Sequence, residues 1–171
     1  MLRSARTPCS LAAVIACCLA VLAGAARAAD GLGPSGHPLP RFVSVISDQV
    51  NVRTGPGTRY PVVWVFTRRN LPVMVTQEFE HWRKIRDRDG AEGWVHKGLL
   101  SGRRYGIVEG EAQTLRRAPS AGAPAAFRAE RGVIGRLVAC EPDWCRMEVA
   151  DLSGWLPKTQ LFGALPGETF R

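Results

Sequence analysis

Residues 50–56 read Val50-Asn51-Val52-Arg53-Thr54-Gly55-Pro56, and residues 113–119 repeat them in outline as Gln113-Thr114-Leu115-Arg116-Arg117-Ala118-Pro119. Both segments place an apolar residue directly before an arginine, and both end in proline. Self-similarity at a fixed spacing indicates a chain built from repeated structural units. The rest of the chain is therefore expected to match itself at the same spacing, which is 63 residues.

The match extends over most of the chain, with one residue lost in each of two predicted turns. Losses in turns are typical of a duplication, because loops tolerate changes in length. The sequence therefore indicates two units, residues 42–104 and residues 105–164. The aligned pairs are Pro61 and Pro124, Trp64 and Phe127, Leu71 and Ile134, Val75 and Val138, Trp82 and Trp144, Gly93-Trp94 and Gly154-Trp155, and Leu100 and Leu161.

The sequence pattern of each unit is typical of a small all-β domain. Short apolar alternations, such as Val50 with Val52 and Val73 with Val75, follow the two-residue period of a half-buried strand. Five strands this short are expected to close into a barrel, because an open sheet of that size exposes long edges. In the first unit the strands are predicted near residues 43–53, 62–68, 71–78, 82–88 and 92–97.

The motifs in both units resemble those of the bacterial SH3-like domain family. The resemblance implies two tandem small SH3-like β-barrels, with a 3₁₀ turn between His96 and Leu100. We expect Trp94 and Trp155 to fill the two small cores. The matching segments are Val50-Asn51-Val52-Arg53, Trp82-x-Lys84-Ile85 and Gly93-Trp94-Val95-x-Lys97-x-x-Leu100 in the first unit, and Leu115-Arg116, Trp144-Cys145-Arg146-Met147 and Gly154-Trp155-Leu156-Pro157-Lys158-x-x-Leu161 in the second.

The N-terminal residues are typical of an exported protein. Residues 1–28 carry early arginines, an apolar run and the small-x-small site Ala26-Arg27-Ala28, which predicts a signal peptide cleaved near Ala28. A membrane anchor and a lipidated Cys17 are the alternatives; the apolar run is short for a span. The protein is therefore expected in the periplasm or outside the cell, with no membrane span after cleavage. Residues 29–41 are predicted to be a flexible Gly/Pro-rich spacer, and residues 165–171 a C-terminal tail.

Cys140 and Cys145 are the two cysteines that remain after cleavage. Their spacing and an oxidising compartment favour a disulfide bond. The alignment places them at the positions of Gln77 and Arg83, facing each other across a hairpin, where a bond would add roughly 2 kcal/mol of stability. A redox or metal role is the alternative.

No catalytic arrangement is found in the sequence, and a non-enzymatic protein is expected. His37, His81 and His96 have no partner at helical metal-ligand spacing, and two cysteines do not complete a zinc site. Phosphate-binding and dinucleotide-binding motifs are absent from the sequence. We therefore expect no cofactor and no metal, and the protein is interpreted as a binding module.

The candidate ligand-binding residues are Tyr60, Trp82, Lys84 and Arg86. Residues 42–104 hold 11 basic and 6 acidic side chains, whereas residues 105–171 hold 8 of each. Trp82, Lys84 and Arg86 alternate onto one strand face, which suits an anion or a sugar. The alternative is an ordinary solvated strand face. Arg53 is expected to bind a neighbouring carbonyl or carboxylate near its turn.

The predicted partner is peptidoglycan or another envelope component. This hypothesis rests on the export signal and on the family resemblance, because such barrels often accompany cell-wall peptidases as targeting modules. The alternative is an envelope protein–protein adaptor that does not bind the wall. Nucleic acid is not expected as a partner, because the charge excess is modest and the protein is exported.

Overall fold

The computed structural model describes residues 31–171, and the predicted signal peptide of residues 1–28 lies outside them. Two seven-stranded antiparallel sheets, one for each predicted unit, account for most of these residues together with the turns that connect their strands. We call them repeat 1 and repeat 2. No helix of the described chain is long and apolar enough to cross a bilayer.

Repeat 1 follows a small N-terminal hairpin of strands β1 (Gly31–Leu32) and β2 (Pro38–Leu39). Its seven strands are ordered β5-β4-β8-β7-β6-β3-β9 in the sheet. The predicted 3₁₀ turn is confirmed at Lys97–Leu99, where His96 Nδ1 accepts a hydrogen bond from the Gly98 amide. The strands are β3 (Arg41–Val45), β4 (Val50–Arg53), β5 (Val62–Phe66), β6 (Pro72–Phe79), β7 (Trp82–Arg86), β8 (Glu92–His96) and β9 (Leu100–Ser101).

Repeat 2 has the same topology, in the order β12-β11-β15-β14-β13-β10-β16. A second 3₁₀ turn, Lys158–Gln160, precedes its last strand. The strands are β10 (Tyr105–Val108), β11 (Gln113–Arg116), β12 (Ala125–Ala129), β13 (Ile134–Cys140), β14 (Trp144–Val149), β15 (Leu152–Pro157) and β16 (Leu161–Phe162). The identical strand order confirms the tandem duplication and the predicted all-β fold.

Each repeat encloses its own apolar core. The inward side chains alternate along the strands, as the two-residue period predicts. Gly93 allows β8 to cross closely over β4, since an added Cβ would lie 2.4 Å from Val52 Cγ1. The fully buried core members are Val45, Val50, Val52, Val73, Val75, Ile85 and Val95 in repeat 1, and Val108, Leu115, Cys145, Met147 and Leu156 in repeat 2.

The structure corrects the predicted role of two tryptophans. Along β8, Gly93 and Val95 are buried, whereas Trp94 is only half-buried and lies on the opposite side of the strand. Trp155 has the same position on β15, beside the buried Leu156. The prediction that these rings fill the cores is wrong, because the aliphatic residues fill them and the indoles lie on the outer face.

The structure also corrects the alignment between the repeats by one position. The Val45 amide donates a backbone hydrogen bond to the Leu71 carbonyl, and the Val108 amide donates the equivalent bond to the Val133 carbonyl. The first residue is therefore lost between β5 and β6, one turn earlier than predicted. Strand pairing then matches Cys140 with Glu78, and not with Gln77.

The predicted flexible spacer is an ordered hairpin in the described range 31–41. β1 and β2 pair in an antiparallel register. Ser35 then attaches the hairpin to repeat 1, because its amide and hydroxyl donate hydrogen bonds of 2.8 and 2.7 Å to the Glu78 carboxylate. The spacer prediction failed because Gly and Pro content signals turns as well as flexibility.

The two repeats pack against each other. Phe42 of β3 is 5% exposed although it lies outside the core of repeat 1, and its ring meets Phe162 of repeat 2 edge to face at 4.9 Å. Arg104, in the junction, forms an ion pair with Glu168 of the C-terminal tail. The tail is therefore ordered, and Phe170 exchanges two backbone hydrogen bonds with Cys140.

Candidate functional site

The hairpin of β7 and β8 turns a mixed aromatic and charged surface outward. Trp82, Lys84 and Arg86 share the side of β7 opposite the buried Ile85, as the alternation predicted. Lys84 pairs across the ladder with Trp94 and lies two residues along β7 from Trp82, so the two indoles are diagonal neighbours and both flank the lysine. Such diagonal neighbours lie roughly 7–8 Å apart. We call these residues, together with Glu92, face 1.

Glu92 changes the electrostatics that the sequence suggested for face 1. Its carboxylate accepts from Lys84 at 2.7 Å and from Arg86 at 2.7 Å. These two hydrogen bonds lower the pKa of Glu92 below its usual value. The three charged groups therefore carry one net positive charge, and they offer both donors and acceptors to a ligand.

Tyr60 lies at the far side of this surface, beyond β4. Arg53 is the strand neighbour of Trp94, and its guanidinium donates to the backbone oxygens of Thr58 at 3.1 Å and Tyr60 at 2.8 Å. The prediction that Arg53 binds a carbonyl near its turn is confirmed. Trp94 and Arg53 therefore lie between Lys84 and Tyr60. In the described part of the chain, no aromatic contact joins Tyr60 to Trp82.

Two further aromatic side chains join face 1 and were missed in the sequence. Phe79 pairs with Trp82 across the β6–β7 hairpin and is 50% exposed. His96 pairs with Trp82 from the other side, with ring centroids 5.6 Å apart. An exposed phenylalanine directly before a turn was the available signal. Phe79, Trp82 and His96 form a continuous aromatic row over three strands.

Repeat 2 presents the equivalent surface on β14 and β15, which we call face 2. Trp155 pairs directly with Arg146, and Trp144 lies two residues before Arg146 on β14, as Trp94 and Trp82 do around Lys84. Ser153 occupies the position of Glu92, so Arg146 donates to the Ser153 hydroxyl at 3.0 Å. Glu148 pairs instead with Arg136 on the neighbouring strand at 2.6 Å.

The predicted disulfide bond joins Cys140 and Cys145. These residues are a directly opposed pair at the end of the β13–β14 hairpin. The bond is buried, with exposed fractions of 3% and 0% for the two residues. Within residues 31–171, no three His, Cys, Asp or Glu side chains cluster in a way that suits a metal ion.

The sequence matches the model of a known protein family. The sequence model of the bacterial SH3 domain family matches twice, at residues 47–102 and 109–163. The two matches coincide with the two sheets and cover more than half of the chain. The protein therefore belongs to the bacterial SH3 domain family and carries the domain in tandem. No curated protein matches the sequence.

Solved structures with a similar arrangement are larger proteins. NlpC2 and NlpC1 from Trichomonas vaginalis are each 9% identical, with a TM-score of 0.35; they match 73% and 71% of this chain and 48% and 45% of their own. An NlpC/P60 family protein from Bacillus cereus ATCC 10987 is 11% identical, with a TM-score of 0.33, over 73% of this chain and 57% of its own. This chain thus spans about half the length of these proteins, and similarity at this level carries no functional argument.

Proposed function

We propose that the protein is a non-catalytic binding module of the cell envelope that recognises the glycan of peptidoglycan through face 1. The observation that carries this proposal is the outward pair of indoles, Trp82 and Trp94, around Lys84. Membership of the bacterial SH3 domain family, the disulfide bond and the predicted signal peptide support an envelope location.

A sugar fits face 1 better than a simple anion does. Indole rings present large apolar surfaces with a polar edge, which suits the apolar side of a sugar ring. Lys84, Arg86 and Glu92 form one hydrogen-bonded group in which Glu92 neutralises one of the two positive charges. Such a group donates to and accepts from hydroxyls, whereas it attracts an anion only weakly at a distance.

The test is retention of the mature protein on purified sacculi. The double variant Trp82→Ala/Trp94→Ala should lower retention at least tenfold, because both stacking surfaces are removed. The matched control is Trp144→Ala/Trp155→Ala in repeat 2, where Phe79 and His96 have no aromatic counterpart; retention should change less than threefold. Equal losses in the two variants, or full retention of the first, contradict the assignment of face 1.

The competing function is an envelope protein–protein adaptor. One observation favours it: β5 lies at an end of the strand order of repeat 1, and Val62, Val63 and Val65 on it are 42%, 50% and 38% exposed. An exposed apolar strand at a sheet edge can pair with a strand of a partner. Capture of envelope proteins that is lost in Val63→Lys, with no retention on sacculi, would establish this function instead.

A further inference from the structure

A groove of about 720 Å³ opens on the outer surface of repeat 2, next to face 2 and the junction between the repeats. Its volume falls within the range of about 300–1,000 Å³ that small-molecule sites occupy. Five arginine side chains and a single carboxylate line it, with two aromatic rings. The lining residues used below are Arg103, Tyr105, Arg136, Arg146, Glu148 and Phe170.

Much of the positive charge in this groove is not neutralised by the protein. Glu148 is bound by Arg136, but Arg103 and Arg146 form no ion pair within residues 31–171. The comparison with repeat 1 explains this difference. Lys84, the equivalent of Arg146, is neutralised by Glu92, whereas repeat 2 has Ser153 at the position of that acid.

The walls of the groove are held in place before any ligand arrives. Tyr105 and Arg136 are a cross-strand pair on β10 and β13. Phe170 is fixed by two backbone hydrogen bonds to Cys140, which is itself in the disulfide bond. Ordered walls reduce the conformational entropy that the protein loses when a ligand binds.

We infer that this groove binds a small polyanion through Arg103, Arg136 and Arg146, with carboxylate or phosphate oxygens as the ligand atoms. A guanidinium presents paired N–H donors that match the two oxygens of such groups. With Glu148 counted, the three arginines leave two net positive charges on one concave surface, against one on face 1, so the groove attracts a multivalent anion more strongly. The site is separate from the sugar-binding role proposed for face 1.

The test is an NMR titration of isotope-labelled, oxidised mature protein with inorganic phosphate, with citrate and with uncharged glycerol, at low ionic strength. Saturable shifts at Arg103, Arg136 and Arg146 are expected with phosphate or citrate and none with glycerol. The tighter of the two anions identifies the ligand group. Ser153→Glu, which restores the acid of repeat 1, should weaken binding at least tenfold, as should Arg103→Gln/Arg146→Gln.

The matched control is Glu92→Ser in repeat 1, which should leave the affinity of the groove within twofold of the parent. Thermal unfolding of each variant verifies that the fold is retained, since all of the altered side chains lie on the surface. Binding unaffected by Ser153→Glu, or no saturable shift with either anion, overturns the inference. Retention on sacculi is measured separately, so failure of the groove and failure of face 1 are distinguishable.

Discussion

The equivalent hairpins of the two repeats, β6–β7 and β13–β14, are each linked across their strands at the same position, but the chemistry of the link differs. In repeat 1 the link is an ion pair, with Glu78 and Arg83 3.0 Å apart and their side chains 1% and 9% exposed. In repeat 2 it is the bond between Cys140 and Cys145. The strand registers make these pairs equivalent. Both repeats thus carry a cross-strand link at this position, one ionic and one covalent.

Each link also anchors a terminal segment. Glu78 holds the N-terminal hairpin through Ser35, and Cys140 holds the C-terminal tail through Phe170. The difference between the repeats is therefore one of vulnerability: the link in repeat 1 depends on the charge of a carboxylate, and the link in repeat 2 depends on the redox state of two thiols.

The largest effect is expected from removing the anion of repeat 1. Glu78→Ala leaves the buried Arg83 and the part-buried Arg41 without their shared partner, and breaking a buried ion pair typically costs about 3–5 kcal/mol. Urea unfolding followed by hydrogen exchange should show the loss in β6 and β7 and release of the N-terminal hairpin. Asp48→Ala, which removes an exposed carboxylate on the same repeat, is the control. A Glu78→Ala protein as stable as that control would show that the ion pair stabilises nothing.

Acid should weaken repeat 1 through Glu78. Burial by itself raises the pKa of Glu78, but hydrogen bonds from Arg41 and Ser35 lower it to about 2, from an ordinary value of 4.5. The stabilisation is therefore complete above pH 4.5 and is lost as the pH falls toward 2, a change of roughly 3 kcal/mol. Denaturant unfolding at pH 6, 4, 3 and 2 measures it. The Glu78→Gln protein should lack this part of the pH dependence; an identical dependence in both proteins would contradict it.

Reduction should weaken repeat 2 selectively and by less. Opening the bond between Cys140 and Cys145, by a reductant or in Cys145→Ser, should cost roughly 2 kcal/mol, since only a short loop is released. Mass spectrometry counts the thiols, and hydrogen exchange should locate the loss in β13, β14 and the pairing of Phe170. Exchange that spreads equally over both repeats would argue against a local link.

The smallest net effect is expected from exchanging one link for the other. Glu78→Cys/Arg83→Cys places cysteines at the positions equivalent to Cys140 and Cys145. An oxidised bond should form, adding roughly 2 kcal/mol, and the lost anchoring of Ser35 and Arg41 should offset much of this gain. Stability should then depend on reductant, and the acid dependence that Glu78 supplies between pH 4.5 and 2 should be lost. Failure of these thiols to pair in air would show that the two hairpin ends differ in geometry.

The sequence was sufficient for the fold because the repeat places weak motifs in the same order twice. Period-two patterning located β3 to β8 of repeat 1, although the single strand predicted at residues 43–53 is two strands, β3 and β4, and β9 was not predicted. The outward position of Trp82, Lys84 and Arg86 followed from the burial of Ile85. The misplacement of Trp94 was avoidable. Its neighbours two residues away, Glu92 and His96, are polar, and they indicate the outer face.

Other features of the site could not be predicted from the sequence, because they depend on the register of the strands. The neutralisation of Lys84 by Glu92 depends on the register of β7 against β8, and the turn between the two strands sets this register. The equivalence of Cys140 with Glu78 was hidden for a similar reason. One residue is lost near Asn70, whose positive φ of 64° is matched by Gly132 at 80°, and only the backbone shows that these two occupy the same turn position.

The contact between Phe42 and Phe162 has a consequence for how the two repeats act together. Two binding surfaces joined by a floppy linker sample many separations, and their combined avidity depends on linker length. Here the aromatic contact fixes one separation and one orientation for face 1 and the arginine-lined groove. Under the two proposals above, a ligand that carries both a sugar and an anionic group gains from bivalent binding only when the distance between its two groups matches this fixed separation.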